Sequence, residues 1–403
     1  MRYPRSSLAI VGRALCLCAL AACQDRSATR ADDTLAREAA RAPVLRAVRD
    51  LAVTDDFGSI ADLEVDGSGR VYVADAMTQQ IRAYSASGAN AGAVGRRGSG
   101  PGEFRGLRDL AIRGDTLYAL DAGAQRISAF ALGQGLRPEP AYTIGVGRPG
   151  ELANYELIVP PGGGILVQYT VPTTESNLAA SKKVVVRRVG LSAPARPVLT
   201  YAERQFLTLR HPRFGFAVST MPYGRVTALN MAPDGRLFLT RNDSLVLDVY
   251  DSGGTRTGGF RRARPAASLA AGEVDALIAS YPDDRMGRAS RELIELATRE
   301  KRIPRDRPAF GTALVDDQGR MWVDPLRDGD RMEYSTSGLR YARARAPDGT
   351  VPWWVLDERG AVIRTAALPA GLSPRLIRRG LIYGTETDSD GVERVARYRL
   401  EER

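Results

Sequence analysis

"IADLEVDGSGRVYVADAMTQQIRAYSASGANAGAVG", residues 60–95, gives a strand, an Asp/Gly turn, a second apolar strand, and then a third strand that runs into a Ser/Gly turn. The same layout returns in "VTALNMAPDGRLFLTRNDSLVLDVYDSGGTRTGGF" (226–260), and its first half returns in "GTALVDDQGRMWVDPLRDGD" (311–330). The turns carry Asp66, Gly67, Gly69 and Arg70, then Asp234, Gly235 and Arg236, then Asp316, Asp317, Gly319 and Arg320. These are the residues that tight hairpins demand. First strands are expected near Ile60, Leu107, Tyr155, Val226, Thr312 and Arg375, and the first two begin 47 residues apart (107 − 60). That is the length of a four-stranded repeat.

Wider intervals have visible causes: the irregular "TVPTTESNLAASKK" in the third unit and an insertion at 266–303. The sixth unit supplies three strands, "RLIRR", "GLIYGTET" and "ERVARYRL", and lacks a fourth. The unclaimed strand "VLRAVRDLAV" (44–53) is expected to complete it, closing a ring and covering an exposed edge.

Between the first two units lies "GRRGSGPGEF" (95–104). It is not a dinucleotide cradle, because Glu103 stands where the third glycine belongs and strands follow instead of a helix. A Walker Gly-Lys-Ser/Thr is also missing from the sequence. Together with "GRVYVADAMTQQIRAYSASG", this junction resembles NHL-type repeats, and 44–403 resembles the six-bladed β-propeller lipoproteins of exported bacterial proteomes. The resemblance implies an all-β, six-bladed β-propeller with an N-terminal strand closing the last blade and a small helical insertion between blades 4 and 5. It also makes the Gly-rich loop the crossing from one blade to the next, with Gly98, Gly100 and Gly102 expected at positive φ and Phe104 packed between blades. Leu277, Ile278, Leu293, Ile294 and Leu296 lie at helical spacing around Pro282, so the insertion reads as two short helices, either a structural cover or a lid.

The N-terminus has Arg2, Arg5 and Arg13 ahead of the short apolar run "ALCLCALAA", which reads as an export signal too short to span a bilayer. Leu20, Ala21, Ala22 and Cys23 resemble the lipobox of bacterial lipoproteins, which implies a signal peptide at 1–22 and lipidation of Cys23; an ordinary secretory signal cleaved near Ala22 is the alternative. Gln24 follows the cysteine, so outer-membrane rather than inner-membrane placement is expected, facing the periplasm or the surface. Residues 23–43 read as a tether and 44–403 as the propeller domain. All three cysteines fall within the first 23 residues, which removes a disulfide scaffold, and the positive charge is spread without a long basic run, which argues against nucleic acid.

The single histidine, His211, rules out a zinc site built on several histidines, and no Gly-x-Ser-x-Gly elbow accompanies it. Calcium remains compatible with scattered carboxylates, of which Asp388, Asp390 and Glu393 form the densest group, although Asp-Gly is also a routine turn. Trp353 and Trp354 occupy adjacent strand positions and should face opposite sides, at least one into the core.

By the resemblance, Arg96, Arg97, Arg105, Arg108, Gln79, Gln80, Gln125, Arg126, Arg241, Asn242, Asp324 and Arg327 share one face and surround a mouth of the channel. An arginine-rich rim would bind an anionic glycan, peptide or protein. The expectation is a monomeric binding or scaffolding module. The alternative is a propeller hydrolase or lactonase with a carboxylate-bound metal, which would place Asp, Glu and Asn at the inner ends of three or more first strands.

Overall fold

The computed structural model describes residues 34–402 apart from 134–135, 137–141, 146–152, 162–163, 171–182, 190–195, 203, 212–214, 265–266, 336–337 and 389. A short helix, α1 (residues 34–41), leads into β1 (Val44–Ala52). Blade 1 is β2 (Ile60–Val65), β3 (Val71–Asp75), β4 (Gln80–Tyr84) and β5 (Asn90–Val94). Blade 2 is β6 (Leu107–Arg113), β7 (Thr116–Asp121), β8 (Arg126–Ala131) and β9 (Tyr142–Gly145), and blade 3 is β10 (Ala153–Ile158), β11 (Ile165–Thr170), β12 (Lys183–Val189) and β13 (Arg196–Ala202). A hairpin, β14 (Phe206–His211) with β15 (Gly215–Thr220), precedes blade 4, which is β16 (Thr227–Met231), β17 (Leu237–Arg241), β18 (Leu245–Tyr250) and β19 (Arg256–Arg262). Helices α2 (Glu273–Ser280) and α3 (Arg285–Arg299) follow. Blade 5 is β20 (Phe310–Val315), β21 (Met321–Pro325), β24 (Thr350–Leu356) and β25 (Val362–Pro369), with the hairpin β22 (Arg331–Ser335) and β23 (Gly338–Ala342) set into it. Blade 6 is β26 (Leu372–Arg378), β27 (Leu381–Thr387), β28 (Glu393–Glu402) and β1.

This is a six-bladed β-propeller. β1 pairs antiparallel with β28, from Leu45 opposite Glu402 to Ala52 opposite Ala396, and so supplies the missing fourth strand. It also pairs in parallel with β25 through Val44, Leu45 and Arg46, tying the outer edges of blades 5 and 6 together. The chain then crosses to blade 1 with Val53 and Phe57 buried against Tyr383 and Val395.

The inner hairpins owe their shape to a carboxylate. Asp66 accepts the backbone N–H groups of Ser68 and Arg70 at 2.8 and 3.0 Å, and Asp316 does the same for Gln318 and Arg320 at 2.9 Å each. Gly69 and Gly319 take the left-handed conformation (φ 85° and 78°) that closes each turn.

The Gly-rich junction differs from expectation in detail. Gly95 and Gly102 have positive φ, whereas Gly98 and Gly100 do not. At those two positions a side chain would meet Glu103, whose carboxylate accepts the Gly100 N–H at 2.8 Å. Phe104 is fully buried beside Phe130 in the core between blades 1 and 2. Trp353 and Trp354 are both buried, on opposite faces: Trp353 toward blade 6 and Trp354 toward blade 4.

The expected tether at 23–43 needs correction. Leu35 is fully buried among Phe238, Leu247 and Trp354 between blades 4 and 5, with Ala39 and Ala42 packed behind it. Glu38 binds Arg262 at 2.8 Å and accepts the Val362 N–H. From residue 34 the chain is therefore docked on the ring; Cys23 and the rest of 1–33 lie outside the described residues, as does most of "TVPTTESNLAASKK".

In each blade the chain crosses over, and the second and third strands connect, at one and the same face. The β14–β15 hairpin, α2 with α3, and the β22–β23 hairpin all leave the propeller at that face. They share a core of Leu207, Leu209, Tyr223, Leu277, Ile294 and Met332, and Tyr281 stacks on Tyr334 at 4.7 Å. Pro282 separates the helices, and Asp284 caps α3 by accepting the Gly287 N–H at 2.7 Å.

Candidate functional site

The first strand of each blade is an edge strand, so every second backbone N–H faces the axis without a ladder partner. A carboxylate from the preceding blade takes up this role. Asp62 on β2 accepts the N–H of Leu110 on β6 at 2.9 Å, and Asp109 on β6 accepts the N–H of Leu157 on β10. Glu156, the next member, accepts from the Gln168 amide at 2.7 Å, and Gln168 in turn accepts from the Tyr201 hydroxyl at 2.7 Å.

These carboxylates line a central cavity of about 790 Å³ together with Glu64, Arg108, Arg375 and Arg378. Arg108 and Arg375 each stand where the pairing of an inner strand with its neighbour skips a residue, a bulge that re-aims a side chain. Glu64 pairs with Arg378 at 3.1 Å. The charge is mixed: carboxylates come from blades 1, 2 and 3, and arginines from blade 2 (Arg108) and blade 6 (Arg375 and Arg378).

Burial among protein atoms raises the pKa of Asp62 above the usual carboxylate range, and Asp109 is raised well above it by burial and then by the neighbouring Asp62 charge. The two carboxyl groups converge on one donor, the Leu110 N–H, which Asp62 accepts at 2.9 Å and Asp109 at 3.0 Å, and carboxyl groups this close favour a shared proton. Glu64 is pushed up to about 7 by burial, against the opposing pull of Arg378.

The residues expected at the rim are distributed as follows. Gln79 and Arg108 line the cavity. Gln79 is buried at φ 58°, held there because its amide donates to the Ala76 carbonyl at 2.6 Å and accepts the Leu107 N–H of blade 2 at 2.8 Å. Gln125 repeats this backbone conformation in blade 2 (φ 51°) and is buried. Asn242 stitches blade 4 to blade 5, accepting from Val226 at 2.7 Å and donating to the Phe310 carbonyl at 3.2 Å. Arg126 clamps the junction through the carbonyls of Ser99, Gly100 and Glu103.

Arg241 pairs with Asp248 at 2.9 Å, Arg327 donates to the Ala344 carbonyl, and Asp324 pairs with Arg343. Burial pushes Asp324 up to about 6 despite that arginine. Arg96 is exposed and pairs with Glu103 at 2.7 Å, Arg97 reaches the Met77 carbonyl, and the Arg105 backbone N–H donates to Asp121 at 3.0 Å. These residues therefore share a face, but most are engaged in holding blades and loops together.

The channel carboxylates were missed, although a signal for them exists. Asp62, Asp109 and Glu156 recur at intervals of 47 residues (109 − 62 and 156 − 109). They meet the positional half of the condition for a metal-dependent hydrolase, acids from three first strands. The donor set does not fit a carboxylate-bound cation, however, because the Asp62 and Asp109 oxygens are taken up by the backbone N–H groups of Leu110 and Leu157. Among the described residues no group of three or more His, Cys, Asp or Glu is disposed to hold a metal ion. In the "DSDGVE" stretch, Asp388 accepts the N–H groups of Asp390 and Val392 at 3.0 Å each and pairs with Arg394, while Glu393 accepts the Ile60 N–H, so it forms a turn.

The fold and the channel together define the class: a six-bladed propeller with a polar axis of mixed charge. Over residues 52–138 the chain matches the DUF5128 family, described as 6-bladed beta-propeller. No curated protein matches the sequence. Among solved structures it is similar to a member of the DUF4221 family from Bacteroides vulgatus, at 10% identity over 89% of this chain and 99% of that chain, with a TM-score of 0.50. It is also similar to virginiamycin B lyase from Staphylococcus aureus (12% identity, 89% and 100% coverage, TM-score 0.41) and to regucalcin, a calcium-binding protein, from Agrobacterium tumefaciens (12%, 90% and 97%, TM-score 0.40). Likeness at such identities speaks to fold alone.

Proposed function

We propose that this protein is an exported, lipid-anchored binding module that takes a small polar molecule into the central channel. The observation that carries the reading is the cavity of about 790 Å³ at the axis, lined by carboxylates from blades 1, 2 and 3 and by arginines from blades 2 and 6. Its volume lies in the range of small-molecule sites, roughly 300–1,000 Å³. The exposed Arg96 and Arg105 stand on the face where the channel opens beside Gln79 and Arg108, and they add to a field that draws an anionic group toward the mouth. Export and the lipid rest on the signal segment and Cys23.

The test is a ligand-observed NMR screen of small polar metabolites against the wild type and Ser59→Trp. Ser59 is exposed at the cavity mouth, so the indole obstructs entry without entering the core. Binding that disappears in Ser59→Trp and persists in Arg96→Gln is expected. Binding indifferent to the plug would move the ligand elsewhere. For the anchor, Cys23→Ser should leave the protein unprocessed; a variant that is processed and membrane-bound to the same extent as the wild type would refute lipidation.

A further inference from the structure

We infer that the channel ligand is a small zwitterion, a molecule of amino-acid or dipeptide size carrying both a free ammonium group and a carboxylate, and that its binding releases a proton from the Asp62–Asp109 pair. The inference rests on the channel being the ligand site.

The starting point is the mixed charge of the lining. Arg375 lines the cavity on the blade 6 side, its side chain exposed to the channel, and it makes no hydrogen bond and no ion pair within 4 Å among the described residues. Its influence on Asp62 is a longer-range field. Arg378, by contrast, is engaged with Glu64 and the Val65 carbonyl. Arg375 thus offers a planar fork suited to a carboxylate. Beside it on the adjacent β2 is Asp62, and farther round the cavity stand Asp109 on β6 and Glu156 on β10. A neutral polyol would leave Arg375 without a counter-charge, and a dianion would face three carboxylic groups. A molecule with opposite charges at its two ends satisfies both kinds of group.

The proton follows from the same geometry. Asp62 and Asp109 accept the same Leu110 N–H, at 2.9 and 3.0 Å, and carboxyl groups this close hold a proton between them in the free protein. The charged or titratable groups around the pair are Glu64 on β2, Arg108 on β6, Glu156 on β10, and Arg375 and Arg378 on β26. An ammonium group arriving beside the pair supplies the positive charge that the shared proton supplied, so the second carboxylate ionises and the proton leaves to the solvent. Affinity therefore rises with pH until the pair is fully ionised in the free protein.

The experiment is isothermal titration calorimetry of the full propeller with the L-amino acids and L-Ala-L-Ala, alongside N-acetylated and C-amidated counterparts, in two buffers of different ionisation enthalpy. Expected are binding of a zwitterion, weakening of at least about tenfold when either end is blocked or Arg375 is changed to Gln, and release of about one proton, lost in Asp109→Asn. Equal binding of blocked and free forms, or a heat independent of buffer, overturns the inference. If other polar molecules bind in a manner sensitive to Ser59→Trp while zwitterions do not, this inference fails and the channel reading stands. If nothing binds in a plug-sensitive manner, both fail.

Discussion

Trp322 donates its indole N–H to the buried carboxylate of Asp316 at 2.8 Å, and Tyr72 donates its hydroxyl to Asp66, the equivalent residue of blade 1, at 3.1 Å. In blade 4 the corresponding pair is Ala232 and Phe238, neither of which has a polar side-chain atom. The aromatic residue and the turn residue thus change together within one chain, because a buried carboxylate must keep its donors and a buried donor its acceptor. A double-mutant cycle on Asp316→Ala and Trp322→Phe should show each single change costing about 1–3 kcal/mol and the double change costing less than the sum. Additive costs by chemical denaturation would show that the pair is not coupled.

The N-terminal helix belongs to the ring. Leu35→Ala should destabilise the domain by about 2–5 kcal/mol, the cost of emptying a fully buried leucine site. A chain beginning at residue 43 should melt below one beginning at residue 34, and one beginning at 54, which also loses β1 with Leu51 and Val53, lower still. Equal melting temperatures for the first two would refute docking of α1.

Stability should fall as pH rises. Asp62, Asp109 and Glu64 all have folded-state pKa values above their unfolded values, so the folded state binds their protons more tightly. Their contribution is intact below the unfolded values and is lost as pH climbs through the folded ones, for Glu64 between 4.5 and about 7. Asp109→Asn should flatten this fall, raising stability at pH 8 relative to pH 5 by on the order of 1–3 kcal/mol compared with the wild type. A wild-type melting temperature that rises steadily from pH 5 to 8, unaffected by the substitution, would contradict this.

Arg126 and Arg96 sit at the same junction with opposite consequences. Arg126 is mostly buried and holds three carbonyls of residues 99–103, whereas Arg96 is exposed. Hydrogen exchange across 96–104 should accelerate in Arg126→Ala, with a loss of about 1–3 kcal/mol, and remain unchanged in Arg96→Ala. Faster exchange in both would indicate that the surface pair also holds the loop.

Much of the ring was legible because each blade announces itself locally: the Asp/Gly turns at 66–70 and 316–320, and the alternation on either side, belong to contiguous stretches. Strand 44–52 was legible for the opposite reason, as the one strand without a local partner. Helix α1 was not, because its apolar stripe consists of Leu35 and Ala39, with Ala42 just beyond its end, too short a run to separate from an alanine-rich linker. The face bearing Tyr223, Leu277 and Met332 was hidden because three insertions far apart in sequence build one core. Among the expected rim residues, Gln79 and Asn242 bind backbone of the next blade, a partner no local pattern displays. Asp62, Asp109 and Glu156 carried a period of 47 residues, but against strand and turn signals a single carboxylate per unit reads as a solvated position.

The most direct test of the channel as the binding site is a crystal structure of the protein with a small polar molecule found to bind it. The account predicts density for that molecule at the axis, in the cavity lined by Asp62, Asp109, Glu156 and Arg375. Density on the outer surface of the blades or on the helices α2 and α3, with the axis holding water alone, would contradict it.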